Sequence, residues 1–420
     1  MATIVMPDVQ SIFLYFFTFS ALYVEVFLLI VAFRNRKAVM QKSVPPAETI
    51  WPGVTIIVPV WNEERTVAKT VDSLLALDYP KDKLFIKIVN DGSTDSTWEK
   101  MQQFFGQENI ELINKENGGK HTAVNRGIES ATTEYVSCLD ADAFAEPPAL
   151  KRMMWQFLSD PEAMAVSPSV IVHNPKGFFQ KAQQVEYDMA VFIKKILGVL
   201  QGIHVTPGPL SIYRKKVFTD LGLYRKAHLT EDMEIAYRMQ VHGYKIVQCY
   251  DAYVYTVTPD SFKKLYKQRL RWMYGFINNT IDYRKYVLKP KYGAFSLFTI
   301  PSATITLFGT VILSLFGLVG LLEGTYHLVQ RMIATQWLIT VPSLPHFSFF
   351  FIDTRPMALV IIVLYALLVT MVLIGQKMRN KKALPGISLL YFIIIFAVMA
   401  PLWLAKAIYN TIAAKETAWR

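Results

Sequence analysis

Four long apolar runs bracket a polar middle in this 420-residue chain, and that distribution limits its fold more than any single motif does. The first run, Ile12–Phe33, carries one charge, Glu25; the others, Ser296–Leu322, Met357–Gln376 and Gly386–Ala405, carry none. As a helix, each is long enough to cross the ~30 Å hydrocarbon core of a bilayer. The stretch between the first and second runs is too polar for lipid. Neither a purely water-soluble globule nor a purely transmembrane protein fits. The apolar content of 52% excludes a disordered chain.

Orientation follows from the basic residues. Ile12–Phe33 is too long for a signal-peptide core and has no basic segment before it, so it reads as a retained helix. Arg34-Asn35-Arg36-Lys37 follows it directly, and Lys377-Met378-Arg379-Asn380-Lys381-Lys382 follows the third run. The positive-inside rule places both clusters in the cytosol. Four spans satisfy this with both termini outside and the middle inside, an integral multi-pass protein of the cytoplasmic membrane. Leu328–Ile352 is apolar on average but contains Arg331, Pro342, Pro345 and His346. A fifth span there would invert the second cluster, so an interfacial or re-entrant segment is expected. Glu25 reads either as a polar lining of a path or as a carboxylate paired with a neighbouring helix or held at the interface.

The formal net charge of +11 suits anionic lipid or a phosphorylated small molecule in a membrane protein better than nucleic acid. The two cysteines, Cys138 and Cys249, lie in strand-like runs. They exclude a disulfide framework and a Cys-rich zinc site and fit a reducing compartment. Four regions are expected: 1–49, a membrane helix and linker; 50–258, a cytosolic domain; 259–295, interfacial helices; and 296–420, the C-terminal membrane region.

Residues 50–258 alternate strand-like and helix-like segments. Strands are expected at Val54–Pro59, Leu84–Val89, Asn109–Ile113 and Tyr135–Leu139, with helices over Glu63–Leu77 and Lys120–Ser130 and a third capped by Asp95 or Ser96. This is an α/β pattern, a Rossmann-like, doubly wound and mostly parallel sheet, which binds ligands at the carboxyl ends of its strands. Two acidic groups fall at such ends: Asn90-Asp91-Gly92-Ser93, and Asp140-Ala141-Asp142. An Asp-Gly after a strand is also an ordinary turn. Asp140 and Asp142 could share one hard cation, Mg2+ or Mn2+, and so serve a nucleoside diphosphate. Asn117-Gly118-Gly119-Lys120-His121-Thr122 reads as a phosphate-facing loop with Lys120 as its point charge, or as a Gly-rich cap; His121 reads as structural. Thr230-Glu231-Asp232 opens a helix over Met233–Val241. It reads as a cap by Thr230 with favourable acidic first-turn residues, or as a carboxylate base.

Two amphipathic helices complete the pattern. Asn174–Gln201 has apolar residues at 178, 182, 185, 189, 192, 196 and 199. Asp260–Tyr283 is rich in basic residues (Lys263, Lys264, Lys267, Arg269, Arg271) and reads as lying on the inner leaflet. Gln268, Arg271 and Trp272 share one of its faces, where they can grip a diphosphate and stack a sugar, or merely anchor the helix.

In that order, Asn90-Asp91-Gly92-Ser93, Asp140-Ala141-Asp142, Thr230-Glu231-Asp232 and Gln268-Arg269-Leu270-Arg271-Trp272 resemble the family 2 membrane glycosyltransferases, which include the cellulose, chitin, hyaluronan and poly-N-acetylglucosamine synthases. The likeness covers about residues 50–290. It implies a GT-A nucleotide-sugar fold, inverting transfer from a UDP-sugar such as UDP-GlcNAc, and a growing polysaccharide as acceptor. It assigns Asp232 as the general base. Pro59, Asn62, Glu63, Asp91, Lys120 and Asp140 fall to the donor, with Asp91 at the uridine. Asp142 is implied as the direct metal ligand with Asp140 beside it, and Gln268, Arg271 and Trp272 cover the diphosphate and acceptor. Trp61 stands where the family more often has Tyr. The segments Leu229–Ile235 and Lys267–Trp272 are most like the poly-β-1,6-N-acetylglucosamine synthases, and Thr206–Arg214 is similar to chitin and hyaluronan synthases. One span before the domain and three after it are few for a cellulose synthase, so a dimer or an accessory subunit is expected to complete a channel. The alternatives are a single-sugar transferase acting on a lipid or short glycan, and a nucleotide-sugar-sensing transporter. A catalytically dead scaffold is disfavoured because every expected acidic position is filled.

Overall fold

The β-branched run Val54–Val60 is buried at every position, because it forms the centre of a sheet covered on both faces. The computed structural model describes residues 9–335, 356–379 and 386–415. Eight strands are formed: β1 (Val54–Val60), β2 (Leu84–Asp91), β3 (Ile110–Lys115), β4 (Tyr135–Cys138), β5 (Ala143–Ala145), β6 (Ala163–Val172), β7 (Ile212–Arg214) and β8 (Lys245–Thr256). The helices are α1 (Val9–Arg34), α2 (Arg36–Met40), α3 (Val67–Leu75), α4 (Thr97–Met101), α5 (Lys120–Ser130), α6 (Ala149–Ser159), α7 (Phe178–Val199), α8 (Lys216–Leu221), α9 (Glu231–Val241), α10 (Phe262–Asp282), α11 (Ile300–Ala334), α12 (Pro356–Met378) and α13 (Gly386–Ile412).

The sheet order is β3-β2-β1-β4-β7-β6-β8-β5. β1 runs parallel to both β2 and β4, β2 to β3, and β6 to β8; β7 is antiparallel to β4 and β6, and β5 to β8. The chain winds from β1 outward to β3, then returns to the other side of β1 as β4. That reversal is a topological switch point, and the carboxyl ends of β1, β2 and β4 open on one edge there. Successive residues of β1 feed opposite faces. Ile56 and Val58 join Val71, Leu74, Met153 and Phe157 of α3 and α6, while Ile57 joins Ala123, Val124, Ile235 and Met239 of α5 and α9.

The described residues divide into two units, Met1–Ile30 with Ser302–Thr370, and Val31–Pro301 with Met371–Arg420. The first is helical, and in it Phe13 packs 6.2 Å from Phe316, centroid to centroid. One Glu25 carboxyl oxygen is buried without a hydrogen-bond partner among the described residues. The second holds the sheet. In it, α7 packs on β6, β8 and α13, and α10 packs on α13.

Among the described residues, four helices are long and apolar enough to cross a membrane: Val9–Arg34, Phe295–Ala334, Met357–Met378 and Gly386–Ile412. The second runs further than the apolar stretch expected for it, with Leu328–Ala334 continuing α11; residues 336–352 of the segment expected to be interfacial or re-entrant, and 380–382 of the basic cluster, lie outside the described residues.

Two expectations are corrected. The helix expected from Glu63 begins at Val67. Asn62 turns with φ 54°, and the amides of Glu63 and Glu64 donate to Thr97 Oγ1 (2.8 Å) and Asp95 Oδ2 (3.4 Å), so local polar contacts outcompete the first helical turn. Thr230 does occupy the N-cap position of α9, but its hydroxyl does not cap the helix. It donates to Ala227 O (3.2 Å) and accepts from Asn279 Nδ2 (2.9 Å).

Candidate active site

The parallel register that pairs Val60 with Asn90 and Ile57 with Cys138 brings three strand exits together. At the exit of β1, Pro59 pairs with Val89, and Asn62 crosses to the loop after β2: its amide donates to Ser93 Oγ (3.0 Å) and its Oδ1 accepts from Thr94 N (2.8 Å). At the exit of β2, the buried Asp91 carboxylate accepts from the amides of Gly118 (3.0 Å) and Gly119 (2.8 Å) and from Lys115 Nζ (2.5 Å). Asp91 thus fixes the Gly-rich loop ahead of α5. Gly119, with φ 90°, makes the turn that an L side chain would strain.

That turn aims Lys120 inward. Its ammonium lies 2.6 Å from Asp140 Oδ1 and 3.3 Å from Glu231 Oε1. Burial opposes its charge, yet the carboxylates of Asp140 and Glu231 hold it protonated well above the usual lysine range. Lys120 therefore joins the exit of β4 to the first turn of α9. Gly208 presses against the same pair: a Cβ there would stand 2.9 Å from Lys120 Nζ and 3.0 Å from Asp140 Oδ2. The loop carrying Gly208 is tied down by Thr206 Oγ1, which donates to the Asp232 carbonyl (2.9 Å), and by Tyr213 OH, which donates to Thr206 Oγ1 (2.8 Å).

The carboxylates outnumber the lysine. Burial pushes the Asp142 carboxyl up to about 6, helped by the charges of Asp140 and Glu63. Burial and the Glu231 carboxylate push Asp232 up to about 6, against the pull of Lys120 and Arg271. Among the described residues, no cluster of three or more His, Cys, Asp or Glu side chains encloses a metal. Asp140 and Asp142 offer two carboxylates, and among the described residues the buried Asp140 Oδ1 has the Lys120 contact and no directed hydrogen bond. That donor set fits a hard divalent cation whose other ligands are water and phosphate oxygens.

The residues expected on α10 divide. The charge of Arg271 reaches Asp232, and its Nη1 donates to Leu229 O (3.3 Å). Gln268 Oε1 is buried with no hydrogen-bond partner among the described residues. The Trp272 ring instead lies 4.3 Å beneath the Arg269 guanidinium, which is itself paired in bidentate fashion with Glu186 of α7 (2.9 and 2.7 Å).

Several residues near the site carry no motif signal. Glu186 is one. Lys194 is another: burial draws its ammonium down to about 8 while the nearby Asp232 opposes the shift. His204, drawn down to about 4 by burial and by Lys194, is a third. Lys194 and Glu186 fall among the polar positions of an amphipathic pattern, which marks nothing. Glu231 stood inside a quoted motif, but its bridge to Lys120 could be read only from the fold.

The family model described as "Glycosyltransferase like family 2" matches residues 52–275. A poly-beta-1,6-N-acetyl-D-glucosamine synthase of Staphylococcus epidermidis is 31% identical over 225 residues, 53% of this chain and 54% of that protein. The protein of the same description from Staphylococcus aureus (strain COL) is 30% identical over the same extent. The match spans about half the length of these curated relatives. Mannosyltransferase PcManGT from Pyrobaculum calidifontis, solved with GDP-Man and Mn2+, aligns over 96% of this chain and 100% of its own, with a TM-score of 0.60 and 19% identity. The shared fold is of GT-A type, with a helical membrane region.

Proposed function

The chain belongs to glycosyltransferase family 2, and from that premise we propose that it extends a β-linked polysaccharide from a UDP-sugar, UDP-GlcNAc first among them, by inverting transfer at the cytosolic face of the cytoplasmic membrane, and passes the product outward. The observation that carries this reading is the meeting of Lys120, Asp140, Glu231, Asp232 and Arg271 at one switch point. The Staphylococcus relatives support the product class, and the shared fold of the GDP-Man- and Mn2+-bound mannosyltransferase supports a nucleoside-diphosphate sugar with a divalent metal.

The roles follow from chemistry. Asp232, ionised, takes the proton of the acceptor hydroxyl as that oxygen attacks the anomeric carbon. Asp232 stands in the first turn of α9, where the Thr206 contact to its carbonyl holds its backbone. Lys120 and Arg271 bring positive charge to the departing diphosphate. Asp91, Asn62, Glu63 and Pro59 shape the nucleoside end, Asp91 by fixing Gly118 and Gly119. Gln268, whose Oε1 has no hydrogen-bond partner among the described residues, would serve the acceptor side, and Trp272 would offer a sugar-stacking ring there. Asp140 and Asp142 would hold Mg2+ or Mn2+, which neutralises charge on the leaving diphosphate. A second copy or an accessory subunit completes the exit path.

The test is UDP release by purified protein in nanodiscs, with UDP-GlcNAc, UDP-glucose, UDP-GlcA and UDP-GalNAc offered singly and in pairs, and with the product sized. Turnover on UDP-GlcNAc alone with long product supports the proposal. Single-sugar products, a need for two donors, or binding without turnover each overturn it. The last of these would favour a nucleotide-sugar-sensing protein.

A further inference from the structure

Behind the catalytic helix lies a cavity of about 630 Å3 that none of the roles above uses. Its walls are the segment 225–229, the far face of α9, the end of α10 and the turn after it. At 100° per residue, Glu234, Arg238 and Val241 stand about 180–240° round α9 from Asp232, so the cavity is separate from the crevice that Asp232 faces.

The lining is basic and aromatic. Arg225, Arg238 and Lys285 stand beside two carboxylates, Glu234 and Asp282. Both carboxylates are already engaged. Glu234 accepts from Arg238 Nη2 (2.7 Å) and Tyr283 OH (2.6 Å), and Asp282 lies 2.9 Å from His228 Nε2. Arg225 stands 3.6 Å from the shared Glu234, and Lys285 sits 4.9 Å over the Tyr286 ring. Positive charge therefore exceeds what the cavity's own acids neutralise. We propose that this cavity binds a phosphate-bearing ligand, with Arg225 and Lys285 at its mouth gripping the anion and the tyrosines behind them walling the rest. The volume falls in the range of small-molecule sites, about 300–1,000 Å3. Guanidinium and ammonium groups at an aromatic wall are the ordinary receptors for phosphate.

The position makes the site regulatory. Ala227, His228 and Leu229 are consecutive left-handed residues (φ 37°, 53° and 64°), a strained turn directly ahead of Thr230-Glu231-Asp232. Leu229 O accepts from Arg271, and the cavity-lining Asn279 donates to Thr230. A ligand that contacts this turn acts on the segment holding Asp232 and Arg271, so its binding is coupled to events in the crevice. By linkage, UDP in the crevice changes ligand affinity by the same factor that the ligand changes UDP affinity.

The test uses the full chain in neutral-lipid nanodiscs, saturated with UDP and Mg2+ so that the donor site is filled. Inorganic phosphate is titrated at constant ionic strength, and the thermal midpoint is followed. A parallel set of nanodiscs carries phosphatidylglycerol in place of phosphate. The wild type is compared with Arg225→Gln/Lys285→Gln, whose side chains are exposed and whose folding is checked by its ligand-free midpoint. The proposal expects a phosphate-dependent rise in the wild type and about tenfold weaker apparent affinity in the double variant, as two charge-assisted contacts are lost. A shift with phosphatidylglycerol alone, lost in the variant, assigns the anion to a lipid headgroup and supports the site equally. Equal shifts in both proteins, or none with either probe, overturn it.

Discussion

The Glu186–Arg269 pair offers a test in which energetics and function separate. Arg269 is 5% exposed and makes both its terminal contacts to one carboxylate, at 2.9 and 2.7 Å. Glu186→Ala leaves that guanidinium buried and uncompensated, which typically costs 3–5 kcal/mol; the Glu186 side chain is 24% exposed, so water reaches part of the site and the lower end, about 3 kcal/mol, is expected. Glu186→Gln retains one acceptor and should cost about 1–2 kcal/mol. In a domain of this size, each kcal/mol moves the thermal midpoint by roughly 2–4 °C, so the alanine variant should unfold about 6–12 °C early. The double variant Glu186→Leu/Arg269→Met removes both charges and should recover to within about 1 kcal/mol of wild type, because the desolvation penalty of each ion goes with it. Midpoints are read in one detergent at fixed protein concentration, beside UDP release. Arg269 also lies 4.3 Å over Trp272, so the double variant should keep stability while losing transfer to acceptor. Equal losses for Ala and Gln, or a double variant as damaged as the two singles added, would refute the buried-pair account.

Three other outcomes follow from the site. Asp232→Asn should lower transfer by roughly 10²–10⁴-fold while UDP-sugar still binds, and near-normal polymer yield would remove Asp232 as the base. With its carboxyl raised to about 6 by burial and Glu231, Asp232 is protonated and idle in acid, so kcat/KM should rise with pH through about 6; Glu231→Gln removes the like charge and should move that limb to lower pH, and an unmoved limb would assign it elsewhere. At Gly275, a Cβ would stand 2.1 Å from Thr230 Oγ1, so Gly275→Ala should force α10 from the Thr230-Glu231-Asp232 segment and cost about 1–3 kcal/mol with loss of turnover; unchanged midpoint and rate would show that the contact relaxes freely.

The parallel half of the sheet was legible because β1, β2 and β4 are runs of β-branched and apolar residues ended by polar turns, and the strand exits carried the acidic motifs. The other half was not: β6 and β8, parallel to each other, went unread, as did the antiparallel β5 and β7. β5 and β7 are three residues long, too short to show a period, and they are placed by pairing with β8, β4 and β6. The start of α3 was misplaced because Glu63 and Glu64 look like favourable first-turn residues, whereas Asp95 and Thr97, distant in sequence, claim their amides. The same limit applies within the site. Asp140, Asp142 and Asp232 could be named from short motifs, but that Lys120 bridges Asp140 to Glu231 depends on three elements meeting, and no local spacing encodes it.

That bridge also explains why the chain can gather so many carboxylates before any donor arrives. Asp140, Asp142, Glu231 and Asp232 would repel one another in a buried cleft, and each unneutralised charge would carry a large desolvation penalty. Lys120 meets that repulsion at its centre, touching Asp140 and Glu231 directly and acting on Asp142 and Asp232 through its field. One lysine among four carboxylates cannot neutralise them all, and the remainder appears in the raised carboxyls of Asp142 and Asp232. Lys120→Met should therefore do more than remove a phosphate contact. It should raise the Asp232 limb of the pH–rate profile further above 6, because a field that favours the ionised base is lost. A variant in which donor affinity falls while that limb stays near 6 would show that Lys120 serves the donor alone.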